Sequence, residues 1–149
     1  MKKSMTPRNL LDLNVLIALA DRRHDLHQAA ASWFASGGKN SWGVCPITEA
    51  GFLRVTTNPT FRPNPQTFES AIAVLQSLKS LSGYWYCEIK DSWVNLTASF
   101  AARISGHQQV TDAYLLGLAI MEKGVLVTFD RRIKYLAGTE FASNLLVLQ

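Results

Sequence analysis

Residues 110–130 read VTDAYLLGLAIMEKGVLVTFD, and this stretch combines a well-marked helix with a buried strand. Thr111 is a candidate N-cap, Lys123 stands in the last turn and Gly124 follows, which predicts a helix over 110–123. Residues 125–129 are almost entirely apolar, which is typical of a strand that is buried on both faces. A helix followed directly by such a strand indicates an α/β fold with a parallel sheet.

Apolar strands and helices alternate along the rest of the chain in the same way. We predict further strands at residues 9–13, 42–45, 84–89 and 145–148, and further helices at 14–22, 24–35, 46–55, 68–81 and 96–104. The helix over 68–81 has an apolar stripe made of Phe68, Ile72, Leu75, Leu78 and Leu81. The pattern predicts an α/β sandwich, and because no repeat or linker interrupts it, residues 1–149 are treated as a single domain.

The composition favours a globular protein with a preference for polyanions. Charged residues make up 17% of the 149 residues, and the formal net charge is +4. Cys45 and Cys87 lack any Cys or His at a metal-binding spacing, which indicates buried, reduced thiols. A basic start followed by an apolar stretch at 10–20 resembles a signal peptide, but Asp12 and Asn14 interrupt the stretch. No segment approaches the ~20 apolar residues that cross a bilayer, so we expect a cytoplasmic protein without a membrane partner.

Four acidic residues occupy equivalent places in this predicted layout. Asp12 ends the first strand, Glu49 begins the helix after the second, Asp112 begins the helix over 110–123, and Asp130 follows the strand after it. Each of them alone is explained by the preference for an acid at a helix N-terminus. A parallel sheet brings strand ends and helix starts to one edge, however, so we expect the four carboxylates to be neighbours.

A cluster of this kind requires positive charge. Two carboxylates about 5 Å apart repel each other by roughly 3 kcal/mol at an effective dielectric constant of about 20. All-oxygen ligands favour hard cations such as Mg²⁺ or Mn²⁺, and these cations can activate a water for phosphodiester hydrolysis. The sequence has no GxSxG or Cys–His signature, in agreement with a reaction that needs no side-chain nucleophile.

Several short motifs together resemble a known family, the PIN domains of VapC-type toxins. The motifs are LDLNVLI at 11–17, Glu49, TDA at 111–113 and TFDR at 128–131. GFLR at 51–54 with Asn58-Pro59, and the helix from His27 to Trp33, are similar to one VapC subgroup. The resemblance runs almost from end to end of the chain.

The resemblance implies a fold, an activity and partners. The fold would be a PIN-like three-layer sandwich with a parallel sheet of about five strands. Asp12, Glu49, Asp112 and Asp130 would be the catalytic, metal-binding acids of a Mg²⁺- or Mn²⁺-dependent endoribonuclease that cuts tRNA, rRNA or mRNA. A homodimer and a cognate VapB-type antitoxin are also implied. Many members have Thr where this chain has Asn14, which can still bind a ligand or water, and Thr128 is a second supporting residue.

Contacts to the substrate are predicted from charge and aromatic character. Phe61 is a candidate for stacking on an unpaired base. The candidates for phosphate contacts are Arg54, Arg62, Arg131, Arg132 and Lys134. His24, His27 and His107 have no metal-binding spacing among themselves, and we assign them to the surface or to helix packing.

Other functions fit parts of the pattern. A haloacid dehalogenase phosphatase requires Asp-x-Asp after the first strand, but residue 14 is Asn. A receiver domain requires an acceptor Asp at the end of the third strand and a Lys at the end of the fifth, and neither is evident. A structure-specific DNase of the related 5′-nuclease group and a catalytically silent RNA-binding or interaction module remain as alternatives.

Overall fold

A small parallel sheet forms the centre of the protein. The computed structural model describes residues 6–149, and residues 1–5 of the predicted domain lie outside this range. The strands are β1 (Asn9–Leu11), β2 (Trp42–Gly43), β3 (Val125–Thr128) and β4 (Leu145–Val147), in the order β2-β1-β3-β4. All neighbouring strands are parallel, so their carboxyl ends lie at one edge of the sheet.

Helices cover both faces of this sheet. They are α1 (Leu13–Ala20), α2 (His27–Ser36), α3 (Pro46–Thr56), α4 (Phe68–Lys79), α5 (Trp93–Thr97), α6 (Val110–Met121) and α7 (Ile133–Ala137). Side chains alternate along the strands, so Leu10 and Leu126 join the core of α5, α6 and α7, whereas Leu11 and Val127 join the core of α1 to α4. The predicted three-layer α/β sandwich is confirmed.

The predicted strand at 84–89 does not form. Among the described residues the sheet has four strands, and this segment contributes only an isolated parallel bridge between Tyr84 and Trp42. The reason lies in β2, which ends at Gly43 because Pro46 starts α3 shortly afterwards. The segment 84–89 would pair with β2, and this strand is too short to offer more than one pairing position.

The boundaries of α6 also differ from the prediction. Thr111 is not the N-cap, because a 3₁₀ turn at His107–Gln109 continues directly into the helix and Gln109 takes that position. At the other end Lys123, not Gly124, adopts the left-handed conformation, with φ of 53°. Gly124 is required by close packing instead, since a Cβ there would collide with the carbonyl oxygen of Arg8.

The apolar stripe predicted for α4 is wrong in part. Phe68 and Ile72 are exposed, as is Leu81 just beyond the helix. Ala71 and Leu75 form the buried face. Ala71 is thus one of the two fully packed positions of α4, although its small side chain did not mark it as such in the sequence. The predicted helix over 96–104 is divided into α5 and a 3₁₀ turn at Ala101–Arg103.

The two cysteines are buried free thiols, as predicted. Burial raises the pKa of Cys87 to about 12, so this thiol is a packing group and not a nucleophile. Within residues 6–149, every helix is too short or too polar to cross a bilayer.

Candidate active site

Asp12 lies at the carboxyl end of the central strand β1, where it is almost completely buried. Its backbone N–H donates to the carbonyl of Val127 at 2.9 Å, which continues the pairing with β3. Its Oδ1 accepts from the backbone N–H of Leu13 at 2.7 Å, so Asp12 is the N-cap of α1. Burial raises the pKa of Asp12 more than the hydrogen bonds that its carboxylate accepts from Thr128 and Leu13 lower it.

Thr128 connects the acids that follow β1 and β3. Its buried hydroxyl donates to Oδ2 of Asp12 at 2.7 Å and accepts from the backbone N–H of Asp130 at 3.0 Å. Asn14 adds a donated bond to the same hydroxyl at 3.3 Å, and its Oδ1 accepts from the backbone N–H of Phe129 at 3.2 Å. Thr128 and Asn14 therefore fix the carboxylate of Asp12 relative to the backbone of Asp130.

Asp112 reaches the same place from the first turn of α6. Its pKa is raised to about 6, first by burial and then by the negative charges of Asp12 and Asp130. Three aspartates thus lie close enough to repel one another, and we call these residues the aspartate pocket. Such repulsion is relieved by a proton or by a cation.

Asp130 is the member of the aspartate pocket whose charge is compensated within the protein. The Arg132 guanidinium donates to both of its carboxylate oxygens, at 3.0 and 2.9 Å, and the Arg132 backbone N–H donates at 2.9 Å. These bonds lower the pKa of Asp130. Arg132 itself is largely exposed, so it can leave this position at little packing cost.

A cleft of about 390 Å³ opens beside Asp12 and Asp112. Arg54 of α3 and Phe61 of the following loop line the cleft, and Thr111 of α6 lies beside Asp112. The sequence-predicted contacts Arg54 and Phe61 therefore line the same cleft as Asp12 and Asp112. Asp12, Asp112 and Arg54 are the charged residues of this cleft, and most of its other lining residues are apolar.

Glu49 is not brought into this cleft. Its carboxylate binds the Lys79 ammonium of α4 at 2.9 Å, and both side chains are partly buried. The cleft is lined from α3 by Ile47, Thr48, Gly51, Arg54 and Val55. At about 100° per residue, Glu49 lies on the opposite side of the helix from these positions. The prediction that four carboxylates converge is therefore wrong for Glu49, and three of them lie near one another. The side of α3 on which Glu49 falls was not taken into account in that prediction.

The remaining predicted phosphate contacts are scattered. Arg62 binds Asp21 at 2.9 Å in a cavity next to the cleft. Arg131 is exposed just before α7, and Lys134 lines a separate small cavity near β4. Of this group, only Arg132 directly contacts the aspartate pocket.

The three histidines have different environments. Nδ1 of His27 donates to the carbonyl of Ala18 at 2.7 Å, so His27 packs α2 against α1 as predicted. His24 lines the cavity that contains Arg62. His107 lines a third cavity, of about 330 Å³, on the other side of Asp112. Sequence spacing alone did not indicate that His24 and His107 flank the cleft.

The donor set of the aspartate pocket fits a hard divalent cation. Three carboxylates supply oxygen ligands, and their mutual repulsion is the property that a cation would offset. As the side chains stand, no three His, Cys, Asp or Glu residues within the described range are grouped tightly enough to hold a metal ion. Arg132 occupies the Asp130 oxygens in this arrangement.

Comparison of the sequence with protein-family models identifies the family of this chain. The PIN domain family model matches residues 10–139, and the chain belongs to the PIN-domain family. The matched range contains every residue of the aspartate pocket.

Within the PIN-domain family, the chain is similar to proteins named VapC ribonucleases. Ribonuclease VapC38 of Mycobacterium tuberculosis H37Rv is 41% identical over 128 residues, which cover 86% of this chain and 89% of the relative. Ribonuclease VapC39 of the same strain is 40% identical, with 81% and 87% covered. VapBC2 from Rickettsia felis, solved with a promoter DNA fragment, superposes with a TM-score of 0.62 over 95% of this chain and 98% of that one, at 14% identity. This last likeness supports the PIN-like fold alone.

Proposed function

We propose that this chain is a metal-dependent endoribonuclease that acts as the toxin of a VapBC-type toxin–antitoxin pair. The convergence of Asp12, Asp112 and Asp130 at one sheet edge, with the pKa of Asp112 raised to about 6, is the observation that carries the proposal. The relatives named as VapC ribonucleases support RNA as the substrate.

Asp12, Asp112 and Asp130 would hold Mg²⁺ or Mn²⁺. When bound, the cation lowers the pKa of a water and stabilises negative charge on the phosphate. Glu49 would join the ligands only by releasing Lys79, and we assign it to the ion pair that connects α3 to α4.

The chain's own residues prepare the cleft for a phosphodiester. Thr128 holds the carboxylate of Asp12 and the backbone of Asp130, while Asn14 holds Thr128. Arg54 places a positive charge beside two acids, where it would contact a phosphate oxygen. The apolar residues of the cleft limit access of bulk water to these charges.

The proposed partners and location rest on the resemblance to VapC-type toxins and not on the geometry of the site. We propose a cytoplasmic protein that forms a homodimer and binds a VapB-type antitoxin. tRNA, rRNA and mRNA are the candidate substrates.

The test uses the full-length protein with matched RNA and DNA oligonucleotides of the same sequence. Wild type with Mg²⁺ or Mn²⁺ is expected to cut RNA, whereas Asp12→Asn with the same melting behaviour is expected to be inactive. Mapping of the RNA ends after expression of both proteins identifies the substrate. Cleavage of structured DNA alone would favour the 5′-nuclease alternative, and equal RNA cleavage by both proteins would exclude the aspartate pocket as the site.

The metal is tested separately by thermal stability. A ligand that binds the folded state raises the melting temperature by mass action. Mg²⁺ or Mn²⁺ should therefore stabilise wild type more than the double variant Asp12→Asn/Asp112→Asn. Equal shifts in the two proteins would contradict a cation in this pocket.

A further inference from the structure

A second cavity, of about 570 Å³, lies beside the cleft. Phe61 and Val55 line both spaces, so the two cavities are adjacent and meet at these residues. We call this space the flanking cavity. Its size falls in the range of about 300–1,000 Å³ that is typical of sites for small molecules.

An exposed aromatic ring stands at the junction between the cleft and the flanking cavity. Phe61 is 62% exposed, so burial does not hold it in place. Its loop is fixed by polar contacts instead: Asn58 Oδ1 accepts from the Thr60 N–H at 2.9 Å, and the Phe61 N–H donates to the Asn58 carbonyl at 3.1 Å. An exposed aromatic side chain on an ordered loop is a platform on which a base can stack.

The opposite side of the flanking cavity supplies a cation and a hydrogen-bond donor. Arg62 is neutralised by Asp21 at 2.9 Å, and this pair holds the Phe61 loop against the end of α1. Arg23 also lines the cavity and, within residues 6–149, takes part in no ion pair. Nδ1 of His24 accepts from the Leu26 N–H at 3.0 Å, so the neutral ring carries its proton on Nε2.

A stacking surface, a ring N–H donor and an uncompensated guanidinium are the three groups that recognise a nucleotide. We propose that the flanking cavity binds one unpaired RNA nucleotide next to the cleavage position. Phe61 stacks on the base, His24 donates to the base edge and Arg23 contacts the phosphate. The inference rests on the proposed function, because it takes the cleft as the place where RNA is cut.

The experiment measures binding, so that it does not depend on cleavage. A fluorescein-labelled single-stranded RNA octamer is titrated with full-length protein carrying Asp112→Asn, and anisotropy gives Kd at several salt concentrations. Phe61→Leu is compared with Phe68→Leu, since Phe68 is equally exposed at 61% but lines neither space. Arg23→Ala is compared with Arg22→Ala, which removes the same charge from the neighbouring exposed position.

The two pairs of variants have different expected results. Phe61→Leu should weaken binding about fivefold or more, and Phe68→Leu less than about twofold. Arg23→Ala should also reduce the dependence of log Kd on log salt concentration by about 0.7, as expected for one lost phosphate contact to a single strand. Arg22→Ala should leave this slope unchanged.

Equal Kd values within each pair would overturn the nucleotide subsite and would favour a protein partner for the flanking cavity. An equal loss in Arg22→Ala and Arg23→Ala would also overturn it, because long-range attraction would then explain the effect. If wild type fails to cut RNA while Phe61→Leu and Arg23→Ala still weaken RNA binding, the proposed function fails, and the flanking cavity stands as a nucleotide site without a cleavage position beside it. Melting curves identify any variant that has lost its fold.

Discussion

Asp112 and Glu49 occupy similar places in their helices, yet the structure surrounds them in opposite ways. Each lies in the first turn, where the helix dipole favours an acid. Glu49 is bound to Lys79 at 2.9 Å, whereas Asp112 lies near Asp12 and Asp130 and has its pKa raised to about 6. The fold compensates the charge of Glu49 with Lys79, whereas the charge of Asp112 is repelled by its acidic neighbours. An acid with a functional role is thus distinguished by its neighbours and not by its position in a helix.

The largest expected difference between the two acids is in catalysis. Asp112→Asn should lower kcat/KM for RNA cleavage on the order of a thousand-fold, because stabilisation by a cation is worth several kcal/mol. Glu49→Gln should change it by less than about threefold, because the Glu49 carboxylate lies on the other side of α3. Single-turnover cleavage of one RNA by both variants checks this. A comparable loss in Glu49→Gln would return Glu49 to the set of ligands.

A smaller effect is expected from the residue that positions the acids. Thr128→Val removes the hydroxyl that donates to Asp12 and accepts from Asp130, with little change in shape. Metal affinity should fall about 10- to 100-fold, as for other groups that orient metal ligands. Titration calorimetry with Mn²⁺ measures this affinity. Thr128→Ser should restore most of it, and a serine variant as weak as the valine variant would assign Thr128 to packing alone.

The smallest expected effect is on stability without metal. The folded pKa of Asp112, about 6, lies above the ordinary value of 3.8, so the folded state holds more protons between these pH values. The contribution of Asp112 to the free energy of unfolding is therefore most favourable at low pH and is lost as the pH rises through about 6. The difference in melting temperature between Asp112→Asn and wild type, measured in EDTA, should therefore shift in favour of the variant as the pH is raised from about 4.5 to about 7.5. The expected shift is on the order of 1–5 °C.

Glu49→Gln serves as the control for this last prediction. It breaks a partly exposed ion pair with Lys79, which costs about 1 kcal/mol or less. Its melting temperature should fall at pH 7.5, opposite in sign to the Asp112→Asn effect. If both variants shift in the same direction, the contrast between a compensated and an uncompensated acid is wrong.

Much of the fold was predictable from local pattern. Residues 125–128 form a strand, and α1, α2, α3 and α6 occur within a few residues of the predicted positions, because apolar periodicity reports burial directly. The strand at 84–89 was not predictable in this way, since its absence depends on how far β2 extends. For α4, the pattern gave the helix, but packing through Ala71 decided which side is buried.

Asp12, Asp112 and Asp130 lie near one another, and Asn14 and Thr128 form hydrogen bonds beside them, while the catalytic roles of these residues stay predictions. The strand ends supply Asp12 and Asp130, and parallel pairing alone brings those positions to one edge. The side of α3 on which Glu49 lies, and the Lys79 partner that α4 brings to it, depend on helix orientation. The flanking cavity is likewise formed by segments far apart in the chain, the end of α1 and the loop after α3.

The sequence by itself determined the α/β class, the alternation of strands and helices and the acids at the ends of β1 and β3. These properties follow from hydrophobic period and chain order, which are local. Only the tertiary structure decided which acid has a lysine beside it, which arginine is bound to an aspartate, and that Phe61 lines the same cavity as Arg23 and His24. Those outcomes depend on distances between separate elements, and electrostatic energy is set by such distances and by burial.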